Sequence, residues 1–169
     1  MEKPIRVVEL FAGVGGFRLG LEQASSRFQT VWANQWEPAM KKQFAYECYV
    51  KHFGAKKEYV CADIKNAKSQ IPSHDLLVGG FPCQSFSIAG VRKGFDDTRG
   101  TLFFEIARIA SVKKPKYLFL ENVPGLLNHD SGKTFETILR TGSPKSCKLF
   151  GERRHSIADE LLTACGRNE

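Results

Sequence analysis

Two residues of this chain, Cys83 and Glu121, have the type and the setting for chemistry on a bound ligand. Cys83 follows Gly79-Gly80-Phe81-Pro82, where Pro82 fixes its own backbone and pushes Phe81 toward an extended conformation. The apolar run before it has the length of a buried strand, so Cys83 stands at a strand's carboxyl end, where open α/β sheets bind their ligands. Most free cysteines are small buried residues, and this alternative stands beside the catalytic interpretation.

Glu121 and Asn122 follow a second apolar run, Tyr117-Leu118-Phe119-Leu120, which predicts another strand. If that strand joins the same sheet as the strand before Cys83, the carboxylate and the amide lie at the same edge as the thiol. Glu121 is therefore a second catalytic candidate. Its alternative is a solvated residue on the rim of the sheet.

A glycine turn near the N-terminus is a candidate for ligand binding. The predicted strand 5–10 ends in Phe11-Ala12-Gly13-Val14-Gly15-Gly16-Phe17, and a helix is predicted over about 16–25. This order places backbone N–H groups and a helix N-terminus against a ligand, although a tight structural turn is the alternative. A dinucleotide site would need a third glycine at the position of Arg18, so NAD is disfavoured.

Polar and aromatic residues also follow the second and third predicted strands. The second strand, 30–34, ends at Gln35-Trp36-Glu37-Pro38. A carboxylate about 20 residues past a glycine turn is where nucleoside ligands have their ribose hydroxyls held, and Trp36 beside it is placed to lie on an adenine ring. The alternative for Trp36 is a core aromatic. Asp63 follows the third predicted strand, 58–61, and is either a ligand contact or a helix N-cap.

The remaining pattern is typical of a mostly parallel α/β sheet of the Rossmann type, with five predicted strands alternating with helices. One of these helices is predicted from Pro38 to about His52, with Met40, Phe44 and Cys48 spaced four apart as packing residues. In such a sheet the candidates named above all line one edge. That arrangement suits a nucleoside-type cofactor beside a thiol and a carboxylate.

Composition sets limits on the class of protein. The chain has 169 residues, of which 42% are hydrophobic and 25% charged, which is ordinary for one globular domain. Five cysteines without Cys-x-x-Cys spacing argue against a disulfide framework and against a zinc site. No signal peptide or membrane-length apolar run is evident, so we expect a cytoplasmic protein without a membrane partner. A net charge of +7 favours a polyanionic partner such as nucleic acid.

Four motifs carry a resemblance to a known family. They are FAGVGG at 11–16, GFPCQSFS at 80–87, GFDDTRGTLFF at 94–104 and ENV at 121–123. In order and spacing they resemble the consecutive signature motifs of the DNA cytosine methyltransferases that methylate carbon 5. The resemblance covers about residues 5–141. It implies a Rossmann-like methyltransferase fold that uses S-adenosylmethionine and acts on double-stranded DNA, as in restriction–modification.

The resemblance implies a covalent mechanism on a cytosine that is flipped out of the duplex. Cys83 is implied to attack carbon 6 of the base, which makes carbon 5 reactive toward the methyl group of S-adenosylmethionine. Glu121 is implied to hold the N3 edge of the base and to supply or share a proton there. The segment 84–100 resembles the family's mobile loop that closes over DNA. The residues assigned to substrate or DNA are Gln84, Ser85, Ser87, Arg92, Arg99 and Asn122, and Asn122 is expected to orient the loop.

The resemblance also implies the cofactor-binding residues. Trp36 is implied to stack on adenine, Asp63 to take the adenine amino group and Ile64 to cover the ring. The other residues implied to surround the cofactor are Phe11, Gly13, Gly15 and Gly16 in the turn, Pro82 beside the pocket and Leu102 on the far side. The family often has an acid directly before this tryptophan, where this chain has Gln35. The ribose is therefore held either by Gln35 or, as we expect, by Glu37.

The segment 142–169 does not resemble the family's continuation. We expect a cofactor-binding and catalytic domain over 1–141 and an atypical, poorly structured tail over 142–169. No basic motif, target-recognition region or last helix is recognisable after Thr141, which a frameshift, a truncated gene or a split enzyme with a complementing carboxyl-terminal polypeptide would explain. Two alternatives to an active methyltransferase remain open. One is a non-catalytic remnant that binds S-adenosylmethionine or a partner polypeptide, and the other is a thiol enzyme unrelated to DNA.

Overall fold

The fold is built on one parallel sheet, seen in a computed structural model that describes residues 3–81, 102–142 and 148–149. The six strands in this part of the chain are ordered β3-β2-β1-β4-β5-β6, and every neighbouring pair is parallel. The strands are β1 Ile5–Leu10, β2 Phe28–Asn34, β3 Tyr59–Val60, β4 Leu76–Gly80, β5 Tyr117–Glu121 and β6 Lys148–Leu149. This order confirms the predicted Rossmann-like α/β class, because the strand sequence reverses direction between β1 and β4.

Helices connect the strands and cover the sheet. They are α1 Gly16–Ala24, α2 Phe44–Phe53, α3 Ile64–Ala67, α4 Leu102–Lys113 and α5 Lys133–Gly142. Short 3₁₀ turns at Lys68–Gln70, Pro124–Leu127 and His129–Gly132 complete the connections in the described residues. Strand β6 falls within the segment predicted to be a tail, and it pairs with β5 through Tyr117–Lys148 and Leu118–Leu149.

The alternation of side chains along β1 divides the core into two layers. Val8 and Leu10 face the layer formed with α3, α4 and α5, whereas Val7 faces α1 together with Leu76 and Val78. Successive strand residues point to opposite faces, so β1 is apolar on both. Glu9 is the exception, since it is fully buried on the α1 face.

The helix predicted to begin at Pro38 begins instead at Phe44. The intervening turn is closed by the side chain of Gln43, whose Oε1 accepts from the Glu37 N–H at 2.7 Å and whose Nε2 donates to the Glu37 and Met40 carbonyls at 2.8 Å. These bonds satisfy the backbone without helical pairing.

The predicted packing stripe of this helix was also wrong. Met40, Phe44 and Cys48 are exposed, and the face that packs on the sheet carries Tyr49, with Tyr46 and Phe53 beside it.

The described residues contain no helix that is both long and apolar enough to cross a bilayer. Within the same residues, no group of three or more His, Cys, Asp or Glu side chains is placed to hold a metal ion.

Candidate cofactor and catalytic cleft

A cleft of about 410 Å³ opens at the carboxyl ends of the strands, where the strand order reverses. Clefts of this size hold small-molecule cofactors, and this point of an open α/β sheet is where such ligands bind. Its lining comes from four loops and one helix: Phe11, Gly13, Gln35, Trp36, Pro38, Gly80, Phe81, Leu102, Glu121, Asn122 and Val123. The cleft therefore joins the predicted cofactor turn to the predicted catalytic carboxylate.

The glycine turn after β1 has an unusual backbone. Phe11 has φ 53°, a left-handed conformation that is rare for an aromatic residue and that clusters at functional sites. Gly15 has φ 96°, and a side chain at that position would overlap the ring of Phe53 in α2. Only glycine meets both conditions at Gly15. Its role is to let α2 approach the turn, and Gly16 then begins α1.

Gln35 and Trp36 form the opposite side of the cofactor end of the cleft. The Gln35 Oε1 accepts a hydrogen bond from the Gly13 N–H at 2.8 Å, which ties the end of β2 to the glycine turn. Trp36 is 39% exposed, so its ring is an available apolar surface rather than a core aromatic. Glu37 does not line the cleft. Its Oε2 accepts a hydrogen bond from the Ala45 N–H of α2 at 3.5 Å. Gln35 is thus the side chain of this pair that faces the cleft.

Asp63 and Ile64 lie on the next loop. Asp63 caps α3, with its Oδ1 accepting from the Lys65 N–H at 2.9 Å, so the N-cap alternative describes its contact in this structure. Ile64 is only 2% exposed and belongs to the core. The Asn34 side chain donates to the Ala62 carbonyl at 2.6 Å and holds this loop against the end of β2.

Glu121 and Asn122 stand at the end of β5, next to the end of β4. Glu121 pairs in register with Gly80, and its Oε2 lies so close that a side chain at Gly80 would come within 3.0 Å of it. Asn122 donates from Nδ2 to the Phe81 carbonyl and accepts at Oδ1 from the Val123 N–H at 2.9 Å. Asn122 therefore fixes the end of β5 to the last described residue before the Pro82-Cys83 pair.

Seven predicted site residues lie outside the described residues: Pro82, Cys83, Gln84, Ser85, Ser87, Arg92 and Arg99. Phe81, which precedes them, is 4% exposed and its ring contacts Phe103 of α4 with centroids 5.6 Å apart. Leu102, at the start of the same helix, lines the cleft.

A buried polar cluster behind the glycine turn was missed from the sequence. Glu9 accepts from the Tyr49 hydroxyl at 3.0 Å and from the Arg18 N–H at 3.3 Å. The Arg18 side chain donates to Tyr59 and, at 2.7 Å, to Glu22. Burial raises the pKa of Glu9 to about 7, although its hydrogen bonds from Tyr49 and Arg18 act in the opposite direction. A charged residue inside the apolar run of β1 was the sequence signal for this cluster.

A family model described as C-5 cytosine-specific DNA methylase matches residues 5–143. Among curated relatives, the Type II methyltransferase M.HhaI of Haemophilus parahaemolyticus is 48% identical over 138 residues, which are 81% of this chain and 39% of that protein. The Type II methyltransferase M1.ScrFI of Lactococcus lactis subsp. cremoris is 50% identical over 137 residues, 80% of this chain and 33% of that protein. The chain thus spans about two fifths or less of the length of these two relatives.

Solved structures agree with the sequence relatives. The S. pombe Dnmt2 methyltransferase superposes with a TM-score of 0.58 at 25% identity, over 82% of this chain and 40% of that one. A putative DNA modification methyltransferase encoded within an E. coli prophage gives a TM-score of 0.57 at 25% identity, over 81% and 37% of the two chains. The resemblance found in the four motifs is confirmed.

Proposed function

We propose that this chain, which belongs to the C-5 cytosine-specific DNA methylase family, carries the cofactor-binding and catalytic residues of a DNA (cytosine-5-)-methyltransferase of the restriction–modification type. The observation that supports this most is that one and the same cleft is lined by the glycine turn, Trp36 and Glu121. Chemistry between a nucleoside cofactor and a base requires the two binding regions to be continuous. The cleft provides that continuity.

S-adenosylmethionine fits the cofactor end of this cleft. The exposed Trp36 ring gives a face on which an adenine can stack, and Phe11 and Leu102 supply apolar walls. Gln35 takes the ribose in this proposal, in place of the expected Glu37, because Gln35 lines the cleft and Glu37 does not. When bound, S-adenosylmethionine supplies an electrophilic methyl group.

Cys83 and Glu121 act on the base. The Cys83 thiolate adds to carbon 6 of a cytosine and opens the carbon 5–carbon 6 double bond, which leaves an enamine whose nucleophilic end is carbon 5. Carbon 5 would then take the methyl group, with S-adenosylhomocysteine as the leaving group. Glu121 holds N3 and provides the proton that neutralises it as the thiolate adds. Loss of the carbon 5 proton then re-forms the carbon 5–carbon 6 double bond and expels the Cys83 thiolate, while the N3 proton returns to Glu121. Asn122 holds the Phe81 carbonyl and so orients the segment that carries the thiol.

The DNA partner is double-stranded, and the target base leaves the helix to reach Cys83. Gln84, Ser85, Ser87, Arg92 and Arg99 are the proposed contacts to the flipped nucleotide and its strand. A net charge of +7 supports binding to the phosphate backbone. The place of action is the bacterial cytoplasm, on the nucleoid.

The match covers 39% and 33% of these two relatives, so in this proposal the part of the family's length that is not matched supplies the remainder of the enzyme. The test mixes the chain with the carboxyl-terminal portion of a relative and measures transfer of labelled methyl groups from S-adenosylmethionine to duplex DNA. Transfer is expected only from the mixture, and it should disappear with Cys83→Ala. Label transfer that survives this substitution would contradict the proposed mechanism. A mixture that binds S-adenosylmethionine but transfers no methyl group would favour a non-catalytic remnant.

A further inference from the structure

The cluster around Glu9 contains a carboxylate that the proposed methyl transfer does not use. Glu9 is fully buried, two residues before the strained Phe11 at the cleft. Burying an isolated carboxylate is costly, so its retention here needs compensating contacts. Each of the two carboxylate oxygens accepts a hydrogen bond: Oε2 from the Tyr49 hydroxyl and Oε1 from the Arg18 N–H.

The contact with Arg18 makes Glu9 an internal cap of α1. Gly15 is the N-cap residue of this helix and has no side chain to satisfy the first-turn N–H groups. The third residue of the helix is Arg18, whose N–H is the group that a capping side chain normally accepts from. Glu9 performs this role from the neighbouring strand, and its charge is favourable at the positive end of the helix.

The contact with Tyr49 ties the same carboxylate to α2. Tyr49 and Phe53 pack directly against Gly15, and the Arg18 guanidinium lies over the Phe53 ring at 4.1 Å. Burial raises the pKa of Tyr49, so its hydroxyl remains a donor. The position of the glycine turn thus depends on one carboxylate that touches both adjoining helices.

We propose that Glu9 is a positioning residue for the cofactor, holding the glycine turn through Arg18 and Tyr49, and that its ionisation sets the affinity of the turn for a cationic cofactor. This inference rests on the proposed function, since it takes S-adenosylmethionine as the ligand. The charged and titratable groups that face Glu9 are Arg18 and Glu22 of α1 and Tyr49 of α2, with Tyr59 of β3 beyond Arg18. Of these, Glu9 is the group that burial brings to a pKa near neutrality.

The direction in which affinity changes with pH follows from the charge of the cofactor. Bound S-adenosylmethionine carries a sulfonium, an ammonium and a carboxylate, and its net positive charge favours the ionised Glu9 in a site of low dielectric constant. Binding therefore releases a proton from Glu9, and affinity rises with pH. For one group titrating near pH 7, the gain between pH 6 and pH 8 is at most about tenfold.

The experiment measures calorimetric dissociation constants for S-adenosylmethionine from pH 6 to pH 8, with wild type, Glu9→Gln and Glu22→Gln. The dissociation constants of wild type and of Glu22→Gln should fall several-fold as the pH rises. Glu22→Gln removes the ion pair with Arg18 but leaves the buried carboxylate of Glu9 in place. Glu9→Gln should show a flat profile. S-adenosylhomocysteine, which lacks the sulfonium charge, should give a shallower slope with wild type.

A second variant keeps the test decisive if Glu9→Gln does not fold. Tyr49→Phe removes one donor to the carboxylate and should move the midpoint of the profile to higher pH. A slope shared by wild type and Glu9→Gln, or an unmoved midpoint in Tyr49→Phe, would overturn the inference while leaving the proposed function intact. A folded wild-type chain that binds no S-adenosylmethionine at any of these pH values would contradict both.

Discussion

The two sides of the cleft are held in different ways. The amino-terminal rim comprises the turn at 11–16 together with Gln35 and Trp36. The Gly13–Gln35 hydrogen bond links its two parts, and the buried cluster of Glu9, Tyr49 and Arg18 packs beneath the turn. The β4–β5 rim, which comprises 80–81 and 121–123, has the Asn122–Phe81 bond as its described cross-link. Rigid elements position a cofactor, and these bonds give the amino-terminal rim that character.

The apolar surface beside the β4–β5 rim adds to this contrast. A second cleft of about 310 Å³ lies there, lined mainly by apolar side chains, and Val123 and Leu127 are 56% and 55% exposed. Exposed apolar side chains of this kind are typical of surfaces that other segments or partners cover. We expect substitutions in the amino-terminal rim to change stability or cofactor affinity, and substitutions in the β4–β5 rim to change the rate of methyl transfer.

The largest effect on stability is expected from Gly15→Ala. The added methyl group meets the Phe53 ring, and φ 96° strains any L-residue, so the free energy of unfolding should fall by about 2–5 kcal/mol. Urea denaturation measures this change. Gly20→Ala, in the middle of α1 with no neighbour within 4 Å of the new methyl group, is the matched control and should be neutral or stabilising by up to about 1 kcal/mol. Equal losses in both variants would contradict the bracing of the turn by α2.

Trp36→Ala should weaken S-adenosylmethionine binding by roughly 1–3 kcal/mol, the usual worth of an aromatic–base stack. Because Trp36 is 39% exposed, the variant should retain the wild-type free energy of unfolding to within about 1 kcal/mol. Calorimetry and denaturation together separate binding from folding. Leu127→Ala serves as a control, because Leu127 is 55% exposed and lines the second cleft but not the first, and it should leave the dissociation constant nearly unchanged.

Asn122→Ala should affect methyl transfer and not cofactor binding, which is the reverse of the effect expected for Trp36→Ala. It removes one hydrogen bond to the Phe81 carbonyl, worth about 0.5–1.5 kcal/mol, and loosens the segment that carries Cys83. We expect a lower rate of methyl transfer in the completed enzyme with unchanged cofactor affinity. A variant that loses cofactor affinity as strongly as Trp36→Ala would show that the two rims are not independent.

The smallest expected effect concerns acid stability at the amino end of β4. His74 is 6% exposed, its Nδ1 lies 2.8 Å from the Pro72 carbonyl, and burial lowers its pKa. The unfolded chain therefore binds a proton more readily than the folded chain once the pH falls through about 6.5. The free energy of unfolding should decline from pH 7 to pH 5 more steeply in wild type than in His74→Gln. Parallel declines would show that other groups account for the acid sensitivity.

Much of the fold could be predicted because strands β1, β2, β4 and β5 have apolar runs bounded by glycine, proline or polar residues. The start of α2 could not, because it depends on the side chain of Gln43 bonding to Glu37 and Met40, and helical spacing of apolar residues carries no information about such a turn. Tyr49 and Phe53 were not predicted to pack for a related reason. The choice of the buried face is made by the glycine turn of another element.

The site was predicted by motif, and the structure adds the contacts that motifs do not specify. The exposed ring of Trp36 and the position of Glu121 opposite Gly80 follow from strand ends in a parallel sheet. Residues two apart in a strand would share a face, so the different directions of Gln35 and Glu37 depend on the turn that follows β2. The Glu9 cluster needs three separate elements to meet, and the sequence shows only an unusual acid in an apolar strand.

In the proposed mechanism, Cys83 forms a covalent bond to carbon 6 of the target cytosine. The most direct measurement mixes the chain and its carboxyl-terminal complement with S-adenosylmethionine and duplex DNA that carries 5-fluorocytosine. Fluorine at carbon 5 cannot leave as a proton does, so methyl transfer should trap a covalent protein–DNA complex, and peptide mass spectrometry should place the bond at Cys83. If Cys83 is the nucleophile, the complex depends on S-adenosylmethionine and is absent with Cys83→Ala. A complex attached to another residue, or none from a mixture that methylates ordinary DNA, would contradict it.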